Sequence, residues 1–187
     1  FGWHCQYAMA QGAMSALGVD ISAKMLEEAR HKNRYAAVHY LQLPIEDIDF
    51  APASFDCVLS SLAFHYLASF ADIAAKVHTL LTPGGDFVFS VEHPVFTAYG
   101  SQDWIYTDDG QIDHFPVDHY FEEGPRQAIF LGEPVTKYHR TLTTYLDTWL
   151  GLGCTRTAIK EPTPSPEQLA HIPEMRQELR RPMMLLI

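Results

Sequence analysis

The stretch Gly18-Val19-Asp20-Ile21-Ser22 decides the fold. The short apolar run from Met14 to Val19 reads as a buried parallel strand, and Asp20 stands at its carboxyl edge. Ser22 is a good N-cap for a helix whose apolar stripe is Met25, Leu26 and Ala29 and which runs to about Lys32. In an open α/β sheet, ligands lie in the crevice beyond the carboxyl ends of the strands, where an acid is placed to accept hydrogen bonds from a ribose.

Working outward, Trp3, Tyr7 and Ala10 recur at helical spacing and predict a helix from Trp3 to Ala10, closed by Gly12. Downstream, Val38 to Leu41 is a short strand and Phe55 to Leu59 a clearer one, followed by Ser60-Ser61 and the aromatic run Phe64-His65-Tyr66. Ile73, Val77, Leu80 and Leu81 mark a helix that Pro83-Gly84-Gly85 stops, turning the chain into the apolar run Phe87 to Val91. Strands alternating with helices of this length mean βαβ units and a parallel sheet. From Pro94 to Thr136 the chain is rich in aromatics, Asp, Gly and Pro and has little helical periodicity. A long connection without regular helices is either a lid or binding insertion, or a surface excursion with a small hairpin.

Periodicity returns with Leu142, Tyr145, Leu146, Trp149 and Leu150, a helix ending near Gly151 to Gly153. Thr155 to Ile159 reads as a strand. Ser165-Pro166-Glu167-Gln168 carries an N-cap, a proline at the first helical position and a glutamine set for a capping box. A second short helix near Glu174 to Arg180 precedes the apolar final strand Met183 to Ile187, for which a crossover and a return strand both fit the pattern.

At 187 residues the chain makes one domain with a proper core. An apolar fraction of 47% with 19% charged residues is that of a globular protein. The formal charge of −10 argues against a nucleic-acid backbone or an anionic membrane as partner and favours a small, neutral or cationic substrate. Cys5, Cys57 and Cys154 lie far apart with no CxxC spacing, as expected of reduced thiols in a cytoplasmic protein. No apolar run approaches the roughly 18 to 20 residues of a membrane span, and no signal-peptide pattern is present. Because the chain opens at Phe1-Gly2-Trp3, an upstream extension is expected.

Taken in order, several pieces resemble the class I S-adenosylmethionine-dependent methyltransferases, in particular their small-molecule, type 11-like branch. Phe1-Gly2 resembles the tail of that family's glycine-rich motif, and Gly18 to Ser22 its second-strand motif. Pro44-Ile45-Glu46-Asp47 with Ser54-Phe55-Asp56 resembles the adenine-side loop and fourth strand, and Leu81-Thr82-Pro83-Gly84-Gly85 the loop before strand five. The resemblance implies a Rossmann-like, doubly wound, mostly parallel seven-stranded α/β sheet with its first strand upstream of Phe1. It implies a single domain over residues 1–187, incomplete at its N-terminus, with a lid-like insertion over 94–136 after the fifth strand. It also implies S-adenosyl-L-methionine as cofactor and in-line methyl transfer to a small-molecule acceptor, with neither nucleic acid nor membrane as partner.

The carboxylate of Asp20 can accept both vicinal hydroxyls of a ribose in a fork, although an acid here serves NAD equally well. Ile21 lies either against the adenine face or in the core. By resemblance, Gly2 is a cofactor-binding residue at the tail of the glycine-rich motif, whose part that lets the backbone approach the methionine end lies upstream of Phe1; Ile45 covers the other face of the ring, and Ser61 and Leu62 border the methionine part. Pro44 stands where many relatives carry an aspartate, so adenine recognition falls to Glu46 or to backbone groups. Methyl transfer from a sulfonium mainly needs alignment and exclusion of water, and a base only if the acceptor must lose a proton. His65, after the fourth strand, is a candidate base or substrate contact, or else a structural histidine. Glu92 and His93, after the fifth, are placed to bind a polar substrate. In Tyr138-His139-Arg140-Thr141, either Thr141 caps a helix beside a solvated Arg140, or the group contacts an anion or hydroxyl of the substrate. Asp113, His114, Asp118 and His119 match no metal motif, and no metal is expected. Two other functions fit less of the pattern: a non-catalytic adenosyl-binding module of the same fold and an NAD-dependent oxidoreductase.

Overall fold

The computed structural model describes residues 1–187, which divide into two compact units, Phe1–Ser54 and Phe55–Ile187. No helix is long and apolar enough to cross a membrane.

In Phe1–Ser54, helix α1 (Trp3–Ala10) leads to strand β1 (Ala16–Asp20), helix α2 (Ala23–Lys32) and strand β2 (Val38–Gln42). β1 and β2 are parallel, in register from Ala16 opposite Val38 to Asp20 opposite Gln42, with α2 as the crossover that a parallel pair requires. Ser22 caps α2 by accepting the Met25 N–H at 3.3 Å, and Leu26 and Ala29 bury the helix's apolar stripe. α1 forms over the expected residues, but its Trp3–Tyr7 stripe is exposed and the helix buries no residue. Gly2, its N-cap, has a φ of 70°, and a Cβ there would fall 2.5 Å from the Tyr40 hydroxyl oxygen, so only glycine fits.

In Phe55–Ile187, strand β3 (Phe55–Ser61) pairs in parallel with β4 (Leu81–Glu92) across helix α3 (Phe70–Leu80). The expected turn at Pro83-Gly84-Gly85 is absorbed into β4, whose register against β3 shifts between Phe55 and Cys57. The final strand β9 (Met184–Leu186) runs antiparallel to β4 and pairs Met184 with Glu92, so the connection is a return and not a crossover. Thr155 to Ile159 does not form a strand. A single bridge joins Lys160 to Leu186, and Pro162 and Pro164 lack the N–H groups to extend it.

The core of this unit is aromatic. Phe64, Phe70, Phe87, Phe89, Tyr145 and Trp149 meet with ring centroids 4.5 to 6.3 Å apart. Tyr145 and Trp149 come from helix α5 (Leu142–Gly151), as their spacing predicts. The capping box at Ser165 forms and opens helix α6 (Pro166–His171), whereas the Glu174–Arg180 helix is a 3₁₀ segment beginning at Pro173.

The stretch from Pro94 to Thr136 is more regular than its composition suggests. It holds helix α4 (Pro94–Thr97) and a small hairpin of β5 (Ile105–Tyr106) with β6 (Ile112–His114). A longer hairpin joins β7 (Gly124–Phe130) to β8 (Glu133–His139) through a two-residue turn. Leu131 and Gly132 have φ values of 52° and 86° there, the paired positive angles of a tight hairpin. β8 continues three residues past Thr136, which brings Lys137 and His139 into the interior.

Candidate active site

In Phe1–Ser54 the chemistry gathers at the end of β1. Asp20 accepts the Ser22 N–H on Oδ1 at 2.8 Å, which orients the carboxylate and leaves Oδ2 free of protein partners. Ile21 follows with its side chain 68% exposed, and Gln42 donates to its carbonyl at 3.1 Å. An isoleucine presented to solvent beside an oriented acid fits a ligand face better than the core. After Pro44, Ile45–Asp47 forms one 3₁₀ turn with Ile45 half-buried and Glu46 exposed. The Tyr40 hydroxyl, packed under Gly2, is buried without a hydrogen-bond partner.

In Phe55–Ile187 the carboxyl ends of β3 and β4 carry the candidates. Ser61 is exposed at the end of β3. Leu62 holds a φ of 52°, unusual for a residue with a Cβ, with its N–H donated to the Ser90 carbonyl at 2.9 Å and to Ser90 Oγ at 3.2 Å. At the end of β4, Glu92 belongs to a buried polar cluster. Lys137 Nζ donates to Glu92 Oε1 at 2.6 Å and to Gln102 Oε1 at 2.7 Å, and Gln102 Nε2 donates to Glu92 Oε2 at 2.6 Å. The Lys137 side chain is 3% exposed. Its ammonium also faces the Tyr66 and Phe130 rings, 5.9 and 5.6 Å from their centroids.

His65 completes this cluster. The Glu92 N–H donates to His65 Nδ1 at 3.3 Å, so the ring proton sits on Nε2, 4.0 Å from Glu92 Oε1. Burial pushes the His65 pKa down to about 4, against the pull of the Glu92 charge and with help from Lys137 and Arg140. A ring with Nδ1 occupied and Nε2 protonated has no free lone pair with which to take a proton.

The other polar candidates are spent on the fold. His93 caps α4 by accepting the Val95 N–H on Nδ1 at 3.1 Å, and its Nε2 lies 2.9 Å from Glu161 Oε1 without hydrogen-bonding alignment. His139 is fully buried between Thr97 Oγ1 at 2.7 Å and the Tyr120 carbonyl at 2.8 Å. Arg140 is buried, not solvated. It donates to the carbonyls of Phe64, Leu67, Ala68 and Tyr138, and its guanidinium lies 5.6 Å from the Phe70 ring centroid. The half-buried Tyr138 carries Arg140 5.8 Å from its ring centroid. Thr141 caps α5, accepting the Thr144 N–H at 3.2 Å. Glu123 supports that cap, accepting from Thr141 N and Oγ1 and from Thr144 Oγ1. Burial alone would raise the Glu123 carboxyl, but these hydrogen bonds outweigh it and hold it below its ordinary range. His114 pairs with Asp113 at 2.9 Å, and His119 lies between Asp118 and Glu122. No three His, Cys, Asp or Glu side chains converge as metal ligands.

The structure thus brings His65 and Glu92 together and adds Lys137 and Gln102, which the sequence reading misses. One signal for Lys137 was present. Val135, Lys137 and His139 alternate with Pro134, Thr136 and Tyr138, so the lysine shares a strand face with apolar and buried neighbours.

Two outcomes test these roles. His65 is held neutral when folded and has an unfolded pKa near 6.5, so the unfolded chain binds the extra proton between about pH 6.5 and pH 4. Stability is full above the unfolded value and falls by roughly 3 kcal/mol as pH drops through that window, and His139 and His93, also lowered by burial, add in the same direction. Urea unfolding from pH 7.5 to pH 4 should show His65→Asn with a shallower slope than the wild type; an unchanged slope would place His65 in solvent. Arg140→Met should cost about 3 kcal/mol or more, because it strips donors from several carbonyls. Wild-type stability in that variant would return Arg140 to the list of ligand contacts.

Known proteins bear on this geometry in three ways. A family model described as a methyltransferase domain matches residues 1–89. A solved structure from Listeria monocytogenes, described as an S-adenosylmethionine-dependent methyltransferase by inference, is 52% identical, superposes with a TM-score of 0.92, and is matched over 100% of this chain and 84% of its own. An S-adenosylmethionine-dependent methyltransferase structure from Mesorhizobium loti is 38% identical with a TM-score of 0.89, matched over 99% of this chain and 84% of its own. An uncharacterized protein of Haemophilus influenzae is 32% identical over 200 residues, which take in 100% of this chain and 76% of that protein. With such identity sustained along the whole chain, the protein belongs to the S-adenosylmethionine-dependent methyltransferases, enzymes of Rossmann-like α/β fold whose methyl donor is S-adenosylmethionine.

Proposed function

We propose that this methyltransferase acts on a small-molecule acceptor whose polar end is held by Glu92. The observation that carries the reading is the state of that carboxylate. It stands at the carboxyl end of β4, where open α/β sheets bind ligands. One oxygen is held by Lys137 and the other by Gln102, yet the side chain stays 14% exposed, which leaves lone pairs for a hydroxyl or amine. So enclosed a cluster suits a small polar group better than a polymer backbone, and a chain of net charge −10 repels a polyanion. In this reading the insertion over 94–136 is a lid, contributing Gln102 and most of the hairpin that carries Lys137.

S-adenosylmethionine, when bound, supplies a methyl group activated as a sulfonium. The residues present fit its adenosine part. Asp20 keeps an unclaimed oxygen for ribose hydroxyls, Ile21 offers an exposed apolar face, and Ile45 and Glu46 sit on the short turn after Pro44. Gly2, with its left-handed backbone, is assigned to cofactor approach, and Ser61 and Leu62 to the methionine part. His65 acts as a positioning residue that fixes the Glu92 backbone. Tyr138 borders the acceptor side, whereas His93, His139 and Arg140 hold the walls. The seven-stranded sheet of the small-molecule branch is our reading of the fold; the parallel pair β1–β2 in the first unit and the parallel pair β3–β4 in the second each support it within their own unit.

The test uses labelled S-adenosylmethionine with a panel of small hydroxyl and amine compounds, acyl-carrier proteins and RNA. Turnover of a small compound, reduced about tenfold or more in kcat/KM by Glu92→Gln, is expected; transfer to RNA alone would overturn the reading. Calorimetry on Asp20→Asn should show S-adenosylhomocysteine binding weakened by about 1–3 kcal/mol, and unchanged affinity would remove Asp20 from the cofactor site.

A further inference from the structure

Two aromatic rings outside the core of the unit Phe55–Ile187 border the Glu92 cluster. Tyr66 ends the 3₁₀ turn Phe64–Tyr66 that follows β3, and Phe130 ends β7 beside the hairpin turn. Each lies against the Lys137 ammonium, with centroids 5.9 and 5.6 Å from Nζ, and that ammonium is 2.6 Å from Glu92 Oε1. The Glu92 charge joins burial in raising the Tyr66 phenol above its ordinary value, so this ring and the carboxylate act on each other directly.

Unlike the rings of the core, these two stay open. Tyr66 is 36% and Phe130 49% exposed, beside a carboxylate that itself keeps 14% of its side chain in contact with solvent. The Tyr66 ring is braced by His65, whose centroid lies 4.4 Å away, and Phe130 is held in register opposite Glu133 across the hairpin. A molecule whose polar atom reaches the open part of Glu92 therefore has aromatic surface next to it on two sides. Ring pairs with centroids roughly 4.5 to 7 Å apart attract beyond their simple burial, by about two- to tenfold in affinity for each pair.

Charge narrows what can sit there. Glu92 is balanced by Lys137, and His65 is held neutral. Farther out, Arg140 and Glu123 act on Tyr145 in opposite senses, while Glu161 is exposed and turned to His93. The cluster is thus close to neutral as a whole. An ammonium brought to Glu92 meets a carboxylate already balanced and a second ammonium beside it, and an anion meets oxygens that can only accept. An uncharged O–H donor meets neither penalty, and a phenol, more acidic than an aliphatic alcohol, donates the stronger bond to a carboxylate.

We propose that the acceptor is an uncharged aromatic hydroxyl compound of the phenol class, its O–H donated to Glu92 and its ring packed against Tyr66 and Phe130. The inference rests on the reading that Glu92 anchors the acceptor, and it adds Tyr66 and Phe130 as the residues that set acceptor specificity.

The experiment titrates the purified protein at neutral pH with p-cresol, cyclohexanol, benzylamine and benzoate, followed by ligand-observed NMR. p-Cresol should bind with a Kd of about 1 mM or tighter, and each of the other three at least about tenfold more weakly. Phe130→Leu keeps an apolar cover over Lys137 and removes only the ring, so it should weaken p-cresol at least about threefold, and Phe130→Tyr should restore the affinity. If Phe130→Leu is unstable, the ligand series on the wild type decides. Absence of p-cresol binding, equal binding of any of the other three, or an unchanged affinity in Phe130→Leu would each overturn the proposal. Two results separate it from the reading beneath it. Methylation of cyclohexanol but not p-cresol, lowered by Glu92→Gln, would remove the phenol class and leave Glu92 as the anchor. An affinity for p-cresol that Glu92→Gln leaves unchanged would remove the anchor and the proposal together.

Discussion

The buried pair of Glu92 and Lys137 is the interaction on which the candidate acceptor end of the chain depends. Taking either charge out of water alone costs several kcal/mol, so each is tolerable in the interior only because the other is there with hydrogen bonds to spare. The consequences spread through the unit Phe55–Ile187. The pair ties the end of β4 to the β7–β8 hairpin, and Gln102 closes it from the insertion while holding a φ of 62°. His65 must then stay neutral to accept the Glu92 N–H beside that lysine. Three residues along from Lys137, Arg140 fastens the Phe64–Ala68 segment through its carbonyls. One stretch of eight residues, from Glu133 to Arg140, thereby supplies both cations that organise the site walls.

Phe1–Ser54 is built on a different constraint, the close approach of backbone elements. Gly18 lies against the Tyr40 ring and Gly2 against its hydroxyl, and a Cβ at either position would come within 2.7 Å of it. That packing lets β1 end with Asp20 turned back on the Ser22 N–H, so that one short hydrogen bond both opens α2 and orients the acid. The same residues that make the strand-to-helix turn therefore make the candidate ribose contact. Local folding and the geometry of the candidate contact are one arrangement here.

This explains which parts were legible from the sequence. Asp20, Ser22, the stripe of α2, the aromatic face of α5 and the capping box at Ser165 are all set by neighbours within four residues, and their patterns are readable directly. Lys137 meets Glu92 across 45 positions and Gln102 across 35, and nothing local announces either partner. His139 and Arg140 looked like ligand groups because they are polar and clustered, but the interior needed donors for backbone carbonyls and took them. Thr155 to Ile159 has the residues of a strand, yet the prolines that follow leave one bridge. The long hairpin escaped notice for the opposite reason, since its turn rests on Leu131 at a positive φ where an asparagine or glycine is the usual signal.

A double-mutant cycle on Glu92 and Lys137 tests the central claim most directly. Unfolding free energies would be measured for the wild type, Glu92→Gln, Lys137→Met and the double variant. If the pair acts as one unit, each single change costs about 3–5 kcal/mol and the double variant costs less than their sum by at least about 2 kcal/mol, because no orphaned charge remains. Single costs that add to within about 0.5 kcal/mol would show that the two side chains are independent, and that something else holds the end of β4 in place.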